Sequence, residues 1–247
     1  MNSSYAAAAP LLASLAWTIA LIIEPDPYDS SAALLIGIGL LSMATVSVIG
    51  MVAAGGRWAH RLGIGTIAGT LLVAAVRPVD PAWVVGLAVT TASGLMIFLP
   101  GVTRGIRKLP AATGPPERAV LLSIALLVSP FAIGVSAADG TEWTHLLVGL
   151  SGLLASFAYS RVIPGGLLVA RIVWPTIAIG LAIPMGLPSG VVSAALGITT
   201  AVLAWDPSVK TAFHPPRETG SSYPIPPELA PKEILDAAQI DDRGLDL

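Results

Sequence analysis

Apolar residues in this chain gather into eight long blocks, at about 6–23, 32–54, 59–76, 82–99, 119–137, 144–163, 167–185 and 189–204. The middles of these blocks contain no Asp, Glu, Lys or His. A bilayer core of about 30 Å is crossed by roughly 20 apolar residues in a helix, with a usable range of about 17 to 25. Each block therefore predicts a membrane-spanning helix, several of them at the short end of that range. No lysine or arginine precedes the first block, so it is expected to stay in the protein as a span rather than be cleaved as a secretory signal.

The polar stretches between the blocks sort by charge into two alternating sets. One set holds Glu24, Asp26 and Asp29, then Arg77 with Asp80, then Asp139 and Glu142, then the uncharged turn at 185–188. The other holds Arg57 and Arg61, then Arg104, Arg107, Lys108 and Arg118, then Arg161 with Arg171 nearby. Eight basic groups thus fall on one side and one, Arg77, on the other. The positive-inside rule puts the basic side in the cytoplasm, so both termini are expected to be cytoplasmic and the membrane to be the cell (inner) membrane. A wrong number of spans would have mixed the two sets.

Composition agrees with a lipid solvent. Hydrophobic residues make up 54% of the 247 positions and charged residues 11%, against about 25% charged in an ordinary soluble domain. Alanine, glycine and small hydroxyl residues are abundant, which suits helices whose backbones approach closely within a bilayer. Cysteine is absent, which removes disulfides, thiolate metal sites and cysteine nucleophiles. Ten arginines stand beside three lysines, a balance expected of a GC-rich, bacterial genome.

The segment GGRWAHRLGIGTIAGT at 55–70 recurs as GGLLVARIVWPTIAIG at 165–180. A constant shift of 110 aligns Gly55, Gly56, Arg61, Thr66, Ile67 and Ala68 with Gly165, Gly166, Arg171, Thr176, Ile177 and Ala178. The same shift pairs Leu11 and Leu12 with Leu121 and Leu122, and Gly39 and Leu40 with Gly149 and Leu150. A shift of 107 pairs Val85, Pro100 and Val102 with Val192, Pro207 and Val209. The expected fold is therefore all-α, about eight transmembrane helices as two tandem parallel four-helix repeats, 1–102 and 118–209, joined by a basic cytoplasmic linker at 103–117. An even number of spans per repeat gives both the same orientation, with a pseudo-two-fold axis along the membrane normal.

Few residues invite chemistry. Arg61 and Arg171 occupy equivalent positions near the cytoplasmic ends of their spans, where a long side chain can snorkel to the headgroups or contact lipid phosphate or an anionic solute. Gly65 with Gly69, and Gly152, Ser156 and Ser160, recur every fourth residue and predict close helix packing. Pro130, Pro175 and Pro184 predict a more bent second half, and any polar cavity is expected there. Trp58, Trp83, Trp143 and Trp205 fall at span ends as interfacial anchors. His60, His145 and His214 are too dispersed for a metal centre, and the outer acidic residues form no defined loop of the about six to eight oxygens that calcium needs. No motif of a hydrolase, metalloprotease or phosphate-binding loop occurs, so neither catalysis nor a cofactor is expected.

The tail, 210–247, changes character. Seven prolines between 206 and 231 predict an extended segment. A short helix follows from Pro231, and its apolar residues Ile234, Leu235 and Ala238 are candidate partner contacts, because a helix of about ten residues is unstable alone in water. From Asp206 the tail has eight acidic and four basic residues, the wrong sign for nucleic acid. Two functions fit these features. One is a permease- or channel-like component for a small neutral or anionic solute; the other is a non-transporting scaffold or accessory subunit that recruits a protein partner through its tail.

Overall fold

A computed structural model of the chain describes residues 7–52, 57–99, 117–137, 142–161 and 163–209. All regular structure among the described residues is helical, and helices occupy each of the eight apolar blocks. They are α1 (Ala9–Ile23), α2 (Ser30–Val52), α3 (Arg57–Val76), α4 (Pro81–Ile97), α5 (Glu117–Ser136), α6 (Trp143–Ser160), α7 (Gly166–Gly180) and α8 (Ser189–Ala204). Three stretches, Ser30–Val52, Trp58–Val76 and Glu117–Ser136, are long and apolar enough to cross a membrane, while α1, α4, α7 and α8 are shorter apolar helices. The linker up to residue 116 and the tail from residue 210, with Ile234, Leu235 and Ala238, lie outside the described residues.

Polar side chains start several of these helices. Asp29 Oδ1 accepts the Ala32 backbone N–H at 2.6 Å at the start of α2, and Asp80 Oδ1 accepts that of Trp83 at 2.6 Å at the start of α4. Glu142 and His145 form a reciprocal capping box at the start of α6, where the Glu142 N–H donates to His145 Nδ1 at 3.2 Å. Such caps satisfy amides that have no partner within the helix. These loop carboxylates thus have a role in folding.

Helix neighbours in residues 7–99 and 117–209 are similar but not identical, since α1 packs on α3 whereas α5 makes no comparable contact with α7. In the first, α1 packs on α2, α3 and α4, and α3 on α2 and α4; in the second, α5 packs on α6 and α8, and α7 on α6 and α8. The Trp17 indole N–H, fully buried in α1, donates to Thr90 Oγ1 of α4 at 2.8 Å. The main junction between the halves is α2 against α5, and the counterpart pair, α1 against α6, makes no comparable contact. Contacts across the junction are therefore not those of a two-fold pair. Its apolar core is shared as well, since Leu127 and Phe131 of α5 pack with Ile36, Leu40 and Met43 of α2.

Close approach at this junction depends on glycine. A Cβ on Gly39 of α2 would lie 2.5 Å from the Phe131 backbone N, and one on Gly134 of α5 would lie 3.0 Å from the Ala32 carbonyl oxygen. On the other side of α5, a Cβ on Gly149 of α6 would lie 3.2 Å from the Pro130 Cα. Gly39 and Gly149, equivalent in the repeated sequence, thus face α5 at adjacent residues. Pro130 is buried inside α5 at this level.

The second half carries the expected irregularity in α7. Pro175 cannot donate to the carbonyl of Arg171, four residues earlier, and the turns just before it, Val169–Val173, are π-helical. The helix ends at Gly180 instead of running to residue 185, and Pro184 lies in the turns that follow.

Packing also corrects one glycine. Gly65 is exposed and a Cβ there would meet nothing within 4 Å, so the Gly65–Gly69 spacing marks no two-point helix contact. Gly69 alone is approached, with a Cβ 3.1 Å from the Phe131 ring, while Gly63 faces Ser47, Ile97 and Pro10. Alanine is favoured over glycine within a helix by about 1 kcal/mol, so Gly65→Ala is expected to hold or raise the melting temperature in detergent. Gly39→Ala forces a backbone shift and is expected to cost about 1–3 kcal/mol, the range for overpacking. Equal melting temperatures for the two variants would show that the α2–α5 contact is looser than described.

Candidate functional site

Two side chains, His60 and Arg171, lie against the C-terminal ends of helices. Arg171 Nε donates to the Ala204 carbonyl at 2.8 Å, near the C-terminus of α8, and its guanidinium carbon lies 4.9 Å from the centroid of the Trp205 ring. In the first half the corresponding carbonyl is that of Ile97, near the end of α4, and His60 Nε2 lies 3.2 Å from it. Ile97 and Ala204 are related by the same shift of 107 residues that aligns the last blocks. A positive or donating group there satisfies an orphan carbonyl and opposes the negative end of the helix dipole. Arg61 is exposed and has no hydrogen-bond or ion-pair partner among the described residues. The two arginines are equivalent in sequence but not in contacts, because His60 takes the capping place in the first half.

At the opposite ends, Arg77 is the exception to the charge sorting, and its side chain is fully buried. It pairs with Asp80 at 3.0 Å, while Asp80 also caps α4. The Trp83 backbone N–H and the adjacent guanidinium hold the Asp80 carboxyl below its ordinary 3.8, against an opposing desolvation effect. Arg77 is thus neutralised by a carboxylate three residues away. Nη1 of Arg77 is buried without a partner among the described residues.

The small residues bridge helices unevenly. A Cβ on Gly152 would meet Ser129 of α5 and lie 2.9 Å from the Trp174 ring of α7. Ser156 Oγ donates to the Ser123 carbonyl of α5 at 3.0 Å. Ser160 is exposed and bonds back to the Phe157 carbonyl in its own helix, so it makes no interhelical contact of this kind. Of the four tryptophans expected as anchors, Trp143 and Trp205 are 66% and 61% exposed and Trp58 and Trp83 are half-buried against the core, whereas Trp17 and Trp174 fill the core. The blocks' hydrophobicity hid those last two, since periodicity does not distinguish a core face from a lipid face when both are apolar.

A groove of 340 Å³ lies between α2 and α6, with Leu127 of α5 also lining it. Its walls are mainly apolar, with hydroxyls from Ser42, Thr45, Ser156 and Ser160. It straddles the two halves instead of lying inside the irregular second half, where a cavity was expected. No group of three or more His, Asp or Glu able to hold a metal occurs among the described residues. No family model, curated protein or solved structure matches the chain.

Two outcomes follow from the helix ends. Arg171→Met is expected to lose about 1–2 kcal/mol, from one helix-terminal hydrogen bond and one cation–aromatic contact, whereas Arg61→Met leaves the melting temperature unchanged; equal losses would give Arg61 an unseen structural role. Asp80 has a lowered folded pKa, so its contribution is present above the ordinary aspartate range and lost as pH falls through the folded value. Asp80→Asn keeps a capping side chain but not the charge, and should lower the melting temperature at pH 7 and flatten its decline below about pH 4. An unchanged pH profile would remove the ion pair from the account.

Proposed function

We propose that this is a cell-membrane protein that crosses the bilayer eight times, as two tandem four-helix repeats with both termini cytoplasmic, and acts as a non-transporting scaffold or accessory subunit of a larger membrane complex. Helices in all eight apolar blocks support the span count, and the matched caps at Ile97 and Ala204 support the duplication. The observation that carries the functional reading is the closed α2–α5 junction. Glycine lets the halves meet backbone to backbone there, and no ionisable side chain lines the contact. A solute path between the repeats needs a wet, polar crevice at that place. Large apolar side chains such as Ile22, Leu154 and Val202, each about two-thirds exposed or more, give the bundle an outer surface suited to lipid and to other membrane helices.

The alternative, a permease- or channel-like component for a small neutral or anionic solute, draws its support from the four hydroxyls of the α2–α6 groove. They sit on mainly apolar walls with no ionisable group among the lining residues, so the groove suits an apolar guest better than a hydrated one.

The scaffold reading is tested by electrophoresis of native complexes from cell membranes. The chain should migrate well above its 25.2 kDa, and removal of 210–247, or Ile234→Asp with Leu235→Asp, should release it from the complex without lowering membrane yield. Liposomes carrying the purified protein should pass small neutral and anionic tracers no faster than empty ones. Selective tracer flux, or a complex that survives loss of the tail, would overturn the proposal in favour of transport or of a tail without a partner.

A further inference from the structure

We propose that the α2–α6 groove is a binding site for a single anionic phospholipid, with an acyl chain lying over Leu127 and the phosphate held at Arg161. The inference is independent of whether the tail recruits a partner. It begins with the register of the helices. Gly39 of α2 and Gly149 of α6 both meet α5 near Phe131 and Pro130, so α2 and α6 flank α5 at the same height. Beyond that closest approach the two helices leave a groove over Leu127, between residues 41–46 of α2 and 153–160 of α6.

Size selects the occupant. The lining segment of α6 is about seven residue steps long, roughly 10 Å at about 1.5 Å per residue. The open groove of 340 Å³ has no room to enclose a helix about 10 Å across, which could only lie over its mouth. A hydrocarbon chain is thin enough to enter. Leu41, Leu153 and Phe157 offer it apolar walls.

Charge selects the head. Arg161 is the C-cap residue of α6, at the end of the groove marked by Ser160. Its guanidinium carbon lies 5.8 Å from the centroid of the Phe157 ring, and Phe157 lines the groove. Among the described residues it has no carboxylate within ion-pairing distance. A guanidinium at the mouth of an apolar groove answers a phosphate and not the neutral side chains of a membrane helix. The positive side of the protein is also where anionic headgroups concentrate.

The energetics make a quantitative demand. Moving an acyl chain from the bilayer into the groove gains no hydrophobic free energy, because both surroundings are apolar. Selectivity must then come from the head. One basic side chain near an anionic headgroup gives a preference of about fivefold over a zwitterionic lipid, and added salt weakens it.

Native mass spectrometry of the full chain, titrated with phosphatidylglycerol and with phosphatidylcholine of the same acyl chains, tests this directly. One phosphatidylglycerol should bind about fivefold more tightly; Arg161→Gln should equalise the two lipids, Arg161→Lys should retain most of the preference, and Arg61→Gln should leave it intact. Thr45→Trp, at an exposed position on the groove wall, should reduce binding of both lipids while keeping the wild-type melting temperature. If Thr45→Trp lowers the melting temperature, a photo-crosslinker at Thr45 in native membranes replaces it, and it should capture phospholipid. A preference that survives Arg161→Gln, one that disappears with Arg61→Gln, or a crosslinker that captures a polypeptide instead of lipid would each overturn the proposal.

Discussion

The structure depends on how closely α5 can lie between α2 and α6. Three glycines, Gly39, Gly134 and Gly149, remove the side-chain bulk that would otherwise hold these helices apart. Within a bilayer this matters more than in water, because lipid is as apolar as leucine and burying leucine brings no hydrophobic gain. Dispersion contacts between tightly fitted helices and a few interhelical hydrogen bonds must do the work. Ser156 to Ser123 and Trp17 to Thr90 are bonds of that kind. The same tight fit closes the place where a path between the two halves would run, and displaces the open space to one side, between α2 and α6.

Charged residues act mainly at helix ends. Asp29, Asp80 and Glu142 cap helices that begin on one side, while His60 and Arg171 meet helices that finish on the other. Loop charge therefore answers the unsatisfied groups at helix termini. Arg77 shows how an apparent exception is accommodated. Its charge is buried and matched by Asp80, so it hardly counts as a loop charge facing solvent.

Arg61 and Arg171 align under the 110-residue shift but differ in their contacts. Their equivalence was visible in the chain, and it suggested a pair of like sites. A side chain meets the terminal carbonyl at both helix ends, but it is His60 at Ile97 and Arg171 at Ala204. The histidine is one residue away from the aligned position, and a one-residue displacement turns a helix face by about 100°. No spacing rule selects between adjacent side chains on that scale. Arg161 was visible as one of the basic set, but only its position over Phe157, at the end of a groove formed by two helices distant in sequence, distinguishes it from the others.

The chain alone was enough to establish the helical class and the placement of eight apolar helices. These follow from local rules, in which runs of apolar residues form helices and ionisable groups avoid the interior. Which faces pack was beyond its reach. Gly65 and Gly39 read alike in sequence, yet one opens on free space and the other touches a neighbouring backbone. In an apolar block both the buried face and the lipid face are hydrophobic, so the pattern that distinguishes inside from outside in water is absent. Packing of α5 against both neighbours resolved that ambiguity, and with it the asymmetric junction, the groove and the residues that line it.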